Sequence, residues 1–325
     1  MSDVRNALRT RPYMFAVLLA ALLLIANVIA DPTFGKPANW PEQLATLAPF
    51  AILAMASTPA IVSGGGGLDI SVGPIAVVTN VILVAWFLPH DALGSPWLAI
   101  PLLLLIGAAI GAINGILVAV LRFEPVIATL CAFFILTGIS LKIAPSPLGV
   151  ENAQWLKDLG DQVGPIPGAL LLMAIPVLIW FGLSRTPYHK DLYAVGGNDA
   201  TAYSSGVDVT GTRIIAYSLG GLFAATAGIA LTAVVLATQS GNGALYSLVA
   251  LAAVALGGTP LGGGRGGLLG SAMGALCIYE LQTVLRALDV SPTWNQFVYA
   301  GLLITGVVVG AMLQRAKAPA PEAAT

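Results

Sequence analysis

The run Gly262-Gly263-Gly264-Arg265-Gly266-Gly267 comes nearest, in this chain, to a loop that could cradle a phosphate. A nucleotide-binding loop of that kind needs a lysine followed by serine or threonine, to hold the phosphates and magnesium. Here the glycines run into Leu268-Leu269 instead. His90 and His189 lie far apart and each flanks an apolar run, so neither a histidine metal site nor a catalytic triad is supported. Cys131 and Cys277 both sit in apolar runs and read as packing residues rather than a disulfide or metal pair. The sequence therefore predicts no catalytic residue, no metal site and no cofactor on this chain. If ATP and magnesium supply energy, a partner subunit must bind them.

Two carboxylates stand out because they fall in or beside apolar stretches, where a charge is expensive and defaults to a functional role. Asp69 could cap the helix that starts near Ser71, pair with a base, or line a wet path. Glu280, in Tyr279-Glu280-Leu281-Gln282, is the second. Uncharged polar residues within apolar runs include Asn80, Asn114, Thr129, Thr137 and Ser140, with Phe133 and Phe134 adjacent. Hydroxyls and amides beside aromatic faces suit a sugar, which offers OH edges and C–H faces. The same groups also serve as glue between helices. Asp69, Ser71, Asn80, Asn114, Thr129 and Phe133 are the candidate path residues.

The elements that must position these groups are membrane helices. Of 325 residues, 57% are hydrophobic and only 9% charged, and the mean hydropathy is +0.89. That lies far outside soluble composition. The 37 glycines and 21 prolines fit membrane helices that pack closely and kink. With a net charge of −1 and no basic cluster, the chain offers nothing to nucleic acid. The expected fold is an all-α integral membrane protein of about ten transmembrane helices, each needing about 20 apolar residues. The expected spans cover residues 12–30, 44–63, 74–88, 97–121, 125–141, 169–183, 214–237, 245–256, 268–288 and 294–313. The basic N-terminus leads into a span rather than a cleaved signal, since no small-residue cleavage site follows.

With both termini cytoplasmic, Arg5, Arg9, Arg11, Arg122, Arg185, Lys190, Arg213, Arg265, Arg315 and Lys317 fall inside. Lys36, Lys142, Lys157 and Arg286 fall outside, a bias of ten to four among the 14 basic residues. Residues 1–315 are expected to form a single transmembrane domain and 316–325 a disordered cytoplasmic tail. Residues 188–213 form the longest polar interruption that carries basic residues. Their Gly-Gly break and Asn-Asp start signal a short helix between two long apolar ones. An internal echo links residues 50–73 with 246–270. Both run apolar into glycines, Gly64, Gly65, Gly66 and Gly67 in one, Gly257 and Gly258 through Gly262-Gly263-Gly264 in the other, where helices could break around a path or simply pack.

Four stretches resemble, in order and spacing, the ribose/xylose/galactofuranose group of bacterial sugar-type ABC importer permeases. Residues 62–73, VSGGGGLDISVG, resemble that family's S-G-G-I-D-L-S-V-G signature with one extra glycine. Residues 125–130, PVIATL, residues 192–206, LYAVGGNDATAYSSG, and residues 253–264, AVALGGTPLGGG, resemble three further segments. The resemblance implies the membrane-spanning permease subunit of an ATP-driven, binding-protein-dependent importer in the plasma membrane. It implies partners: ATP-binding cassette ATPase subunits, a second permease subunit, the same chain or a homologue, and an extracytoplasmic substrate-binding protein. Residues 186–212 would then be the cytoplasmic coupling segment, with Tyr193, Gly196, Gly197, Asn198, Asp199 and Tyr203 docking the ATPase. Glu280 and Phe123-Glu124 depart from the family pattern, and the sugar, pentose or hexose, stays open, as does a nucleoside. The competing expectation is a proton- or sodium-coupled carrier working through Asp69 and Glu280.

Overall fold

The structure, a computed structural model, describes residues 13–294 except 91 and 152, and beyond them residues 297, 298, 300, 301, 304 and 308. The described residues form twelve α-helices and one short hairpin. In chain order the helices are α1 (Met14–Ala30), α2 (Trp40–Val62), α3 (Val72–Ile82), α4 (Pro96–Ala119), α5 (Pro125–Ile143) and α6 (Gln154–Gly160). There follow α7 (Gly168–Leu183), α8 (Pro187–Gly197), α9 (Asp199–Ser204), α10 (Val209–Val235), α11 (Gly243–Leu256) and α12 (Leu268–Ala287). The hairpin pairs β1 (Gln162–Val163) with β2 (Ile166–Pro167), antiparallel, between α6 and α7.

Five helical stretches among the described residues are long and apolar enough to cross a membrane, and α7 with α8 makes a sixth if that bent pair is one span. Three shorter apolar helices, Met14–Ala30, Val72–Phe87 and Gly243–Leu256, coincide with three more expected spans. The protein is therefore helical and multi-pass. The expected span 294–313 lies mostly outside the described residues, and the tail 316–325 lies wholly outside them, as do Arg5, Arg9, Arg11, Arg315 and Lys317.

Two helices form the centre. In the apolar window of α2, 89% of residues are buried, and in that of α10, 72%. The windows of α4 and α5 are only 28% and 22% buried, and Leu105, Phe134 and Ile135 point outward. Helices apolar on every face, with the outer ones bare, suit a hydrocarbon surround. Small residues let the inner helices close up. Gly107, Gly111 and Gly115 recur every four residues on α4 and receive the backbone of Gly221, Tyr217 and Ile214 on α10. Backbone contact of that kind is how membrane helices gain packing energy without a hydrophobic drive.

Helix α2 stops where the sequence demands it. Gly64, Gly65 and Gly66 have φ of 71°, 62° and 73°, a left-handed run that residues with a Cβ resist. The chain then reverses through Leu68–Ser71 into α3. At the far end of α10, Leu236 ends the helix left-handed. Residues 148–150 pair there with 236–238, through Val150 N–H to Leu236 O at 2.8 Å and Thr238 N–H to Leu148 O at 2.9 Å.

Candidate functional site

Helix α8 leaves α7 at a bend of 89°, so it runs almost at right angles to the preceding apolar helix. Arg185-Thr186-Pro187 makes the corner: Thr186 is extended and Pro187 takes the first helical position, where its missing N–H costs nothing. One face of α8 is buried, with Leu192 packed beside Val62 and Ala216. His189 sits between the rings of Trp180 and Tyr193, at centroid distances of 5.5 and 4.9 Å. Burial lowers the His189 pKa and raises those of Tyr188 and Tyr193, so all three are uncharged at neutral pH. Asn198 breaks α8 in an extended conformation and caps α9, its side chain accepting the Thr201 N–H at 2.9 Å. Asp199 follows in the first turn, where a negative charge favours the helix dipole. Its carboxylate is half-exposed and meets the Arg213 guanidinium at 3.0 Å. Asn198, Asp199 and Tyr203 are exposed, Tyr203 to 75%.

The inner side of the same segment touches both glycine breaks. Gly196 lies against the Val62 carbonyl and against Gly264, Gly64 lies against Gly196, and Gly263 lies against Gly64. The Gly264 N–H donates to Val62 O at 3.0 Å, and the Tyr193 hydroxyl donates to Gly266 O at 2.8 Å. Arg213 packs its guanidinium onto Gly65. The coupling candidates Tyr193 and Gly196 therefore face inward, whereas Gly197, Asn198, Asp199 and Tyr203 face outward. Gly257 takes another part, seating the end of α11 against Gly270 at the start of α12.

Four of the six path candidates gather at the Leu68–Ser71 turn. Asp69 is fully buried, and its Oδ1 accepts the Ser71 N–H at 2.8 Å and the Ser71 hydroxyl at 2.6 Å. Asn114 on α4 donates to Ser71 Oγ at 2.8 Å. Thr129 on α5 accepts the Ile70 N–H at 3.3 Å and donates to Pro125 O at 2.8 Å. Asp69 thus closes a turn of its own, one residue ahead of the α3 helical bonds, and Oδ2 has no hydrogen-bond partner among the described residues. Phe133, one turn beyond Thr129, is half-buried and edge-to-face with Phe134 at 5.3 Å. Asn80 stands apart. It donates to Thr232 Oγ1 at 2.8 Å and accepts the Gln239 N–H at 2.9 Å, tying α3 to the segment after α10.

Glu280 is buried on α12, where the Asn27 amide of α1 donates to its carboxylate and to its backbone carbonyl. Among the described residues no hydrogen bond joins Glu280 to Asp69, and no group of three potential metal ligands occurs.

Residues 42–307 match a family described as the branched-chain amino acid transport system / permease component. The chain belongs to this family. It is a component of a transport system, not an enzyme. The chain is 35% identical over 301 residues to the ribose import permease protein of Bacillus subtilis, covering 91% of this chain and 90% of that one. It is 29% identical over 329 residues to the fructose import permease protein of Rhizobium meliloti, covering 98% and 90%. It is 36% identical over 213 residues to the autoinducer 2 import system permease protein of Klebsiella pneumoniae, covering 63% and 60%. No solved structure matches the chain.

The sequence marks the 262–267 glycines and ends the polar stretch at Arg213, but it assigns neither a place against α8 or the first helix break. Arg213 closes the polar stretch, and the second glycine cluster echoes the first, so both signals were present. What linear order hides is that the two clusters touch.

Proposed function

We propose that this chain is the permease subunit of an ATP-driven importer that carries a sugar across the plasma membrane by alternating access. The observation that carries this reading is the two-faced segment α8–α9. It bends 89° from α7, exposes Asn198, Asp199 and Tyr203, and seats its other face on the helix breaks. A part that must take a push from outside the membrane and pass it inward needs that arrangement. The reading includes ten spans, cytoplasmic termini and a cytoplasmic α8–α9. Its partners are ATP-binding cassette ATPases holding ATP and magnesium, a second permease subunit and an extracytoplasmic binding protein. The path runs past Asp69, Ser71, Asn114 and Thr129. Rigid-body switching between two states with different partner contacts supplies the transport step.

Sugar is preferred because the relatives above are ribose and fructose import permeases, and because amides and hydroxyls gather at the Leu68–Ser71 turn. The separation of Asp69 from Glu280 disfavours a two-carboxylate proton relay. The test is affinity purification in mild detergent, followed by uptake of ribose, fructose and leucine into proteoliposomes. Co-purification of an ATPase and ATP-dependent sugar uptake support the reading. Leucine uptake alone refutes the sugar, and uptake driven by a proton gradient without a partner refutes the importer.

A further inference from the structure

Three chain segments meet at one point, backbone against backbone, through glycines and the Val62 carbonyl. Gly64 ends α2, Gly196 lies in the last turn of α8, and Gly263-Gly264 follows α11. A Cβ on Gly196 would strike the Val62 carbonyl, one on Gly263 would strike the Gly64 backbone, and one on Gly264 would come within 2.8 Å of the Gly197 backbone. The Gly264 N–H to Val62 O bond ties the second break to the first without involving α8. Tyr193 holds α8 to the same loop through Gly266 O.

We infer that Gly64, Gly196, Gly263 and Gly264, locked by the Tyr193 hydroxyl, are positioning residues that pass a displacement of α8 into both helix breaks at once. The inference rests on the importer reading above. Backbone packed on backbone has no side-chain rotamer to absorb a movement, so a shift of α8 moves the ends of α2 and α11 together. The route onward is short. Five residues beyond Gly64 lies Asp69, at the turn held by Asn114 and Thr129. The α11 loop leads straight into α12, whose first residues touch Gly257. A packed junction with discrete arrangements is the physical form that energetic coupling between sites takes.

Gly196 is the sharpest probe, because it lies in a helix without left-handed strain and substitution there changes only the space. Gly196→Ala wedges α8 off Val62 and leaves the outward face intact. Gly262→Ala, in the same α11 loop, meets nothing within 4 Å and serves as the matched control. Tyr193→Phe removes one hydrogen bond and adds no volume. The complex with its ATPase and binding protein is reconstituted, and three quantities are read: ATPase co-purification, ATP hydrolysed, and sugar taken up. Gly196→Ala is expected to retain the ATPase while the ATP spent per sugar rises about tenfold, and Tyr193→Phe to raise it by a smaller factor. Gly262→Ala keeps the parent ratio. An unchanged ratio in both Gly196→Ala and Tyr193→Phe overturns the inference. If Gly196→Ala fails to assemble, Tyr193→Phe decides alone. If the parent chain transports without an ATPase, the importer reading falls and this inference falls with it.

Discussion

Gly196 rests directly on the carbonyl oxygen of Val62, with no space for a Cβ between them. That contact joins the end of a peripheral helix to the end of the most buried of the long apolar ones. Helix α8 has one face for solvent and one for the core, and Asn198, which begins α9, is exposed within two residues of it. Mutations on the two faces are therefore separable.

On the exposed face, Asp199→Asn removes the carboxylate charge that Arg213 meets at 3.0 Å. With Asp199 half-exposed, water screens the pair, and its loss is expected to cost stability less than about 1 kcal/mol. The thermal midpoint in detergent should hardly move. ATPase retention on an affinity column should fall, since the exposed Asp199 sits where the partner is proposed to dock. A large drop in midpoint with unchanged ATPase retention would reverse that assignment.

Helix packing offers a contrast in sign. A methyl on Gly111 would strike the Tyr217 carbonyl, whereas one on Gly138 meets nothing within 4 Å. Gly111→Ala is expected to destabilise by about 1–3 kcal/mol through overpacking. Gly138→Ala should stabilise by roughly 0.5–1 kcal/mol through helix propensity. Thermal unfolding of the two purified variants reads both signs, and equal shifts would refute the α4–α10 contact.

Acid should loosen α8. Burial between Trp180 and Tyr193 lowers the His189 pKa below its ordinary value of 6.5. The unfolded segment then binds the proton more readily than the folded one, so stability is full above about 6.5 and declines as pH falls below it. Hydrogen exchange of residues 187–197, corrected for intrinsic rate, should quicken between pH 7.5 and 5.5. His189→Phe keeps a ring in place and should flatten that dependence. A pH response that survives the substitution would assign it to another group.

At the Leu68–Ser71 turn, Asp69→Asn and Asp69→Ala distinguish two roles. Asparagine can still accept both Ser71 bonds at Oδ1, while alanine leaves the Ser71 donors bare and is expected to cost about 1–3 kcal/mol. If Asp69 only closes the turn, Asp69→Asn transports like the parent. Loss of uptake in an Asp69→Asn protein of unchanged midpoint would place the charge itself on the path.

Much of this was legible in the sequence, for reasons of local physics. Nine apolar runs marked helices within a few residues, because hydropathy over about 20 positions is a summed signal. Asn198-Asp199 read correctly as a helix start, since a cap acts within three residues. Contacts distant in sequence were not readable. Nothing in the spacing of Gly64, Gly196 and Gly263 announces that they touch, and Asn80 shares a polar type with Asn114 yet bonds to Thr232 and Gln239. Residue type marks a buried polar group as consequential. Which turn it serves is decided by helix packing, to which each helix contributes only half the contact.

Glu280 gives the clearest separation between importer and carrier. Its carboxylate is buried on α12 and takes its described hydrogen bond from Asn27 of α1, with Asp69 in a different network. A hydrogen-bonded pair tolerates an isosteric neutral partner better than the loss of one member, because an unsatisfied buried polar group is the expensive state. Asn27→Ala should therefore destabilise by about 1–3 kcal/mol, the scale of a buried acceptor left without its donor. Glu280→Gln should fold and retain ATP-dependent uptake. A proton carrier predicts the opposite for Glu280→Gln, with coupled uptake abolished in a well-folded protein. Measuring uptake with ATP held constant while the proton gradient is collapsed separates the two. Retained uptake in both the parent and Glu280→Gln makes the Asn27–Glu280 contact an interhelical clasp.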